Sequence, residues 1–239
     1  MGKKKERIFR FKRFSVVNER SAMKVGTDGV LLGAWCTVNG KDRILDVGTG
    51  CGVIALMLAQ RTENAMITGI EIDAEAADEA KHNFAASEWD CRLSAQNIDY
   101  KQFTKANKFD LIVSNPPFFR AGVLPTGNGR TVARHSTELT FADLLGKSAE
   151  LLTDDGLLAI IVPTDAETEI MYLAEKNGLK LRRICHVKGT PQSESKRIMC
   201  EFSKSYLGEI EENEIVIEYS PQIFTEEYIG LTKDFYLKM

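Results

Sequence analysis

Hydrophobic positions along this chain change period repeatedly, and the changes mark out alternating strands and helices. Residues 7–19 alternate aromatic or aliphatic with basic side chains, the period-two pattern of a half-exposed strand or hairpin. Met23–Trp35 predicts a helix capped by Thr27 or Asp28 and carrying Val30, Leu31, Ala34 and Trp35. A strand ending at Val47 passes through Gly48, Gly50 and Gly52 into a helix that reaches Ala59. Further strands are expected at Met66–Asp73, near Cys91–Ala95, at Phe109–Ser114 and at Leu157–Val162. Helices are expected over Ala74–Ser87, Phe141–Leu152 and near Asp165–Asn177. Runs at Lys180–Val187, Arg197–Ser203 and Glu214–Tyr219 predict late, partly antiparallel strands.

Strand–helix alternation of this kind builds an α/β fold with a parallel sheet. The 239 residues suffice for one such domain, with residues 1–20 as a basic N-terminal arm or hairpin. Lys3, Lys4, Lys5, Arg7, Arg10, Lys12 and Arg13 crowd that arm against a single acid, Glu6, although the whole chain carries a net charge of −3. A basic arm on an acidic body is one way to hold RNA, and a solvated terminus is the other reading. Cys36, Cys51, Cys91, Cys185 and Cys200 are scattered, with no pair at ligand spacing, so buried free thiols are expected and no metal centre. No run approaches the roughly 20 apolar residues of a membrane span, and no signal-peptide core opens the chain, which predicts a soluble cytoplasmic protein. The oligomeric state is open, with a monomer favoured.

Candidate chemistry gathers where strands end. Asp46-Val-Gly-Thr-Gly-Cys-Gly52 presents backbone and a helix N-terminus at the carboxyl edge of a sheet. Its Gly-x-Gly-x-Gly spacing differs from the Gly-x-Gly-x-x-Gly of dinucleotide sites and shifts the expected ligand to S-adenosylmethionine, with Asp46 near the ammonium end. Glu71 falls where an acid accepts both ribose hydroxyls, Ile72 adjoins it, and Asn97 can bond an adenine edge. Lys24 and Thr27, in a glycine-bearing segment, belong to the same pocket wall. Asn115-Pro-Pro-Phe118 follows the strand at Phe109–Ser114. Two prolines remove two N–H donors and leave neighbouring carbonyls free, Asn115 adds an amide oxygen, and Phe118 adds a flat apolar face. Acceptors beside a stacking face suit a planar group carrying an NH2. Beyond Pro117, Arg134 and His135 sit in a Gly-rich stretch and can grip phosphate or position a nucleoside.

With these residues in view, the chain resembles class I S-adenosylmethionine-dependent methyltransferases over nearly its whole length. The resemblance implies a Rossmann-like, mostly parallel seven-stranded sheet with an antiparallel C-terminal edge strand. Lys24-Val-Gly-Thr-Asp-Gly-Val-Leu-Leu-Gly-Ala-Trp35, the Asn115–Phe118 tetrad and Ala133-Arg134-His135 make it most similar to the tRNA-valine adenine-N6 methyltransferases. That family implies methylation of the adenosine just 3′ of the anticodon, with Asn115, Pro116 and Phe118 at the reacting amine and tRNA as partner. Similar tetrads serve guanine-N2 methyltransferases of ribosomal RNA and glutamine-N5 methyltransferases, and a non-catalytic RNA-binding module is a further alternative.

Overall fold

The computed structural model describes residues 8–117 and 139–239. Phe118, Arg134 and His135 lie outside the described residues. Ile8–Arg10 (β1) pairs antiparallel with Ser15–Val17 (β2), giving the hairpin that the period-two pattern predicts. There follow Thr27–Trp35 (α1), Arg43–Val47 (β3), Val53–Arg61 (α2), Met66–Glu71 (β4), Ala74–Ala85 (α3), Leu93–Asn97 (β5) and Phe109–Ser114 (β6). After the undescribed stretch come Phe141–Leu151 (α4), Leu152–Pro163 (β7), Glu167–Lys176 (α5), Lys180–Lys188 (β8), Ser195–Ser203 (β9) and Glu211–Val216 (β10). A small ladder, Glu218–Ser220 (β11) with Ile223–Phe224 (β12), precedes Glu226–Thr232 (α6).

The main sheet has the order β10-β8-β9-β7-β6-β3-β4-β5 and contains eight strands, one more than the seven expected. β9 is the strand that runs against its neighbours, and it lies between β7 and β8 rather than at the edge. The side chains explain the placement. Ile198, Met199, Cys200 and Phe202 in β9 are fully buried, so both faces of that strand need cover. β10 carries Glu211, Glu212 and Glu214 and takes the edge, where charge discourages further pairing.

Alternate residues of each central strand enter two separate cores. Ile44, Ile67, Leu111, Val113 and Ala159 pack on one face with α1, α2 and α3. Leu45, Ile70, Ile112, Leu158 and Ile160 pack on the other with α4 and α5. Burial on both faces is why these strands read as continuous apolar runs.

Two local expectations change. The position before α1 is Gly26, whose extended backbone makes no side-chain cap, so Thr27 begins the helix instead of capping it. Asp28 accepts from Arg197 Nε at 2.9 Å, a partner 169 residues away that local pattern cannot reveal. Of the five cysteines, Cys91 is exposed and the other four are buried thiols. No described helix is long and apolar enough to cross a membrane.

Candidate active site

Three strand ends bring the predicted residues to one edge. Val47 stands opposite both Ile70 and Ser114, and Glu71 stands opposite Asn97. Paired strands lie about 4.8 Å apart. The glycine turn after β3, the Glu71 region after β4 and the Asn115 segment after β6 therefore leave the sheet side by side. The Ser114 hydroxyl donates to Val47 O at 2.9 Å, tying the base of the Asn115 segment to the strand that feeds the glycine turn.

The turn is built around Asp46. Its carboxylate is fully buried, Oδ2 accepts the Thr49 hydroxyl at 2.6 Å, and Oδ1 has no hydrogen-bond partner. Burial pushes its pKa up to about 7, and the nearby Glu71 charge adds to the rise; the Thr49 hydroxyl opposes it, as does the Ala55 backbone N–H, which lies near the carboxylate without making a well-formed hydrogen bond. Gly48 and Thr49 both donate backbone N–H to Ile70 O, at 2.9 and 3.0 Å. Gly52 closes the turn at φ +86°, and a Cβ there would stand 2.4 Å from a Phe84 ring carbon. Only glycine satisfies both conditions at the entrance to α2.

Glu71 is half-buried and held by backbone: Oε2 accepts Gly50 N–H and Oε1 accepts Asp73 N–H, both at 3.0 Å. Each oxygen keeps a second lone pair for a further donor. Asp73 caps α3 by accepting Ala76 N–H at 2.8 Å, as its position before the helix predicts. Asn97 is exposed and donates Nδ2 to Glu71 O and Ile72 O, at 3.0 and 2.8 Å, which turns its Oδ1 away from those carbonyls. Ile72 is exposed beside it.

Asn115 is half-buried, with Pro116 buried and Pro117 exposed behind it. Its Nδ2 donates to the Met23 sulfur at 3.5 Å, while its buried Oδ1 has no partner among the described residues. Lys24 Nζ donates to Glu19 O and Ser21 O, at 3.0 and 2.8 Å, so it braces its own loop. Thr27 is exposed at the start of α1. Sequence reasoning passed over Met23 and Ser21. Both lie just before the Lys24–Trp35 segment, but neither residue type signals a site by itself.

A basic hollow lined by Arg13, Arg61, Trp89 and Arg92 lies elsewhere. It forms where α2 ends and β5 begins, at the amino edge of the sheet. Its guanidinium groups are committed: Arg13 to Glu88, Arg61 to Gly33 O, Arg92 to Ala59 O and Thr62 O.

The profile of the methyltransferase small domain matches residues 21–178, the part that builds this edge. A tRNA1(Val) (adenine(37)-N6)-methyltransferase of Flavobacterium johnsoniae is 45% identical over 97% of this chain and 100% of its own length. The chain belongs to that methyltransferase family. The protein of the same name from Trichodesmium erythraeum is 44% identical over 96% of this chain and 98% of its own. Among solved structures, a predicted O-methyltransferase from Agrobacterium tumefaciens superposes with a TM-score of 0.67 at 19% identity, covering 87% of this chain and 96% of its own. At that identity the likeness concerns the fold, which is the class I methyltransferase fold.

The cofactor of this methyltransferase is S-adenosylmethionine. The residues present fit it. A buried carboxylate oxygen without a hydrogen-bond partner, as on Asp46, is costly unless something cationic or N–H-bearing meets it, and the ammonium of such a cofactor would have the chemistry to do so. Glu71 offers spare acceptor capacity one strand away. Among the described residues, no group of three or more His, Cys, Asp and Glu could hold a metal ion.

Proposed function

We propose that this chain methylates the N6 amine of an adenosine in tRNA, the one next to the anticodon, and works in the cytoplasm as a single methyltransferase domain. The observation that supports the reading most strongly is the Asn115 amide: its oxygen is buried without a partner among the described residues, on the strand end next to the Asp46 turn, in a chain whose relatives are named for adenine N6. Those names favour adenine over guanine N2 or a glutamine amide as acceptor. They also weigh against a module that only binds RNA.

The exocyclic amine of adenine is a poor nucleophile because its lone pair is delocalised into the ring. Asn115 Oδ1 and the Pro116 carbonyl each accept one amine N–H, which favours a pyramidal nitrogen and returns electron density to the lone pair. The two prolines bring no N–H of their own to this segment, so they do not compete for these acceptors. Phe118 stacks on the base, an interaction worth roughly 1–3 kcal/mol per base. Pro117 adds an apolar edge, and Arg134 and His135 hold the nucleoside or a phosphate. An anticodon-loop base leaves its stack at lower cost than a duplex base does.

S-adenosylmethionine, when bound, supplies an electrophilic methyl group on a sulfonium. Asp46 would take the ammonium of its aminoacyl tail, and the Gly48–Gly52 backbone would let that tail pass close. Glu71 would take the ribose hydroxyls, Ile72 and Asn97 would meet the adenine, and Lys24 and Thr27 would belong to the pocket wall. As the carbon–nitrogen bond forms, the carbon–sulfur bond breaks to leave a neutral thioether, and the methylated nitrogen, now cationic and acidic, passes its proton to water, so no separate strong base is required.

The deciding experiment is nucleoside mass analysis of purified valine tRNA from cells lacking this protein. Loss of N6-methyladenosine from that tRNA, restored by the wild-type chain and not by Asn115→Ala, is expected. Unchanged N6-methyladenosine would overturn the assignment.

A further inference from the structure

Helix α3 carries two buried polar side chains that the proposed chemistry does not use. Glu79 is 3% exposed and Asn83 is 2% exposed, although Ala76, Ala77, Ala80 and Phe84 around them are core. The two are four residues apart and so share one face of the helix. A carboxylate taken this far out of water is destabilising unless its lone pairs are saturated. Those of Glu79 are met by consecutive backbone amides. Oε2 accepts Glu19 N–H at 2.7 Å and Arg20 N–H at 2.8 Å, and Oε1 accepts Ser21 N–H at 3.1 Å.

Asn83 reaches the same strand of chain from one turn further on. Its Oδ1 accepts Val17 N–H at 2.9 Å, and its Nδ2 donates to Val17 O at 2.9 Å and to Cys51 O, inside the glycine turn, at 2.8 Å. Residues 17–21 are thus bolted to α3 over a separation of about 60 residues of sequence. What they carry touches both halves of the site. The Ser21 hydroxyl lies 3.1 Å from where a Cβ on Gly50 would stand, and Met23 Sδ accepts from Asn115. Ser21 Oγ also donates to Met23 O at 3.1 Å, linking the two sides.

We infer that Glu79 is a positioning residue for methyl transfer: its carboxylate gathers the amides of Glu19, Arg20 and Ser21 and so sets the 21–24 wall across the glycine turn and Asn115. The inference rests on the proposed function for its kinetic consequence, while its consequence for cofactor binding does not require the acceptor to be known. What matters is acceptor capacity, not charge. A glutamine with its oxygen in the Oε2 position keeps two of the three bonds, whereas methionine fills the same space and keeps none.

The test uses the full chain with Glu79→Met, Glu79→Gln and, as a matched control, Glu201→Gln. Glu201 is another buried carboxylate; it accepts from the Thr37 amide and hydroxyl and pairs with Arg182 and Arg183, away from the carboxyl edge. Calorimetry should give Glu79→Met a cofactor Kd at least about tenfold weaker, with kcat on valine tRNA also about tenfold lower, each near the worth of one hydrogen bond or more. Glu79→Gln, which sets an NH2 against the Ser21 amide and gives up that one bond, should fall between wild type and Glu79→Met in both, and Glu201→Gln should lower Tm while leaving Kd and kcat unchanged. Wild-type Kd and kcat in Glu79→Met, or equal losses in Glu79→Gln, would overturn the inference. A measurement that needs no variant stands beside these. In the wild-type chain the amides of Glu19, Arg20 and Ser21 should be protected from hydrogen exchange before cofactor is added, and fast exchange there would also overturn it. A wild-type chain that binds cofactor but methylates no tRNA would count against the function alone, because the Kd comparison would still read Glu79.

Discussion

The side-chain nitrogen of Asn115 lies 3.5 Å from the sulfur of Met23, and the oxygen of the same amide is buried and accepts from no described residue. An amide has one donating end and one accepting end, so a partner for the first fixes the aim of the second. Met23, itself 46% exposed, thereby occupies the donating end of the Asn115 amide and leaves Oδ1 as its spare acceptor.

Three variants follow from that geometry. Asn115→Ala removes the acceptor and should cost at least about a hundredfold in kcat, the scale seen when one preorganised polar group is removed. Cofactor Kd should hold. Met23→Leu keeps the volume and removes the sulfur acceptor, and should lower kcat about three- to tenfold, in line with a single modest hydrogen bond. Met23→Gln restores an acceptor and should recover most of the rate. Single-turnover methylation measures all three, and a wild-type rate in Met23→Leu would remove Met23 from the account.

Asp46 gives a pH dependence whose sign can be worked out. Its folded pKa of about 7 is above the ordinary value of 3.8, so the free protein holds it mostly neutral in mild acid. A raised pKa stabilises the fold fully below the unfolded value and loses that contribution as pH rises through the folded one. The cofactor ammonium prefers the ionised form. Binding should therefore release a proton below about pH 7, with affinity rising from about pH 5.5 to 7 and levelling off above. Titration calorimetry in buffers of different ionisation heat counts that proton. Asp46→Asn should bind weakly with no such slope, and a slope that survives in this variant would assign the proton to another group.

Much of this was readable in the linear pattern because burial on both faces writes itself as unbroken apolar runs. Ile44-Leu45 and Leu111-Ile112-Val113 are such runs, and the residues just past them, Asp46 and Asn115, fall at the carboxyl edge as parallel strands require. Glu71 follows from the same register. Glu79 and Asn83 were not readable, since a Glu and an Asn on a helix of alternating charge look like a solvated face until residues 17–21 fold onto them. The inner position of β9 was missed for a related reason. Its antiparallel return is local, but the slot it fills is set by where α5 delivers β8.

The basic arm divides at Ile8. Lys12 donates its amide to Phe235 O and its Nζ to Lys233 O, Arg13 bonds Glu88, and Phe11 and Phe14 are buried, so residues 8–14 help to hold the C-terminal segment. Removing them would confound RNA binding with stability. Lys3, Lys4, Lys5 and Arg7 precede that hairpin, and their replacement by Gln or Ser tests phosphate binding with the hairpin left intact. If they meet tRNA, the slope of log affinity against log salt should flatten by about 0.7–0.9 for each phosphate that is no longer neutralised. Filter binding between low and moderate salt reads it, with Tm unchanged. Parallel lines for the two proteins would leave RNA binding to other residues.

Gly52→Ala should be the most damaging small substitution in the glycine turn. The left-handed backbone at φ +86° costs a non-glycine residue about 1–2 kcal/mol. The new Cβ would also meet the Phe84 ring at 2.4 Å, and Phe84 is 2% exposed in the core, so the ring cannot swing into solvent. Overpacking of that kind adds about 1–3 kcal/mol. A chain of this length loses about 2–4 °C of Tm per kcal/mol, so a fall of roughly 10 °C is expected. Pairing it with Phe84→Leu separates the two causes. If the double variant regains part of the lost Tm relative to the sum of the singles, the clash is real, and simple additivity would leave only the backbone cost.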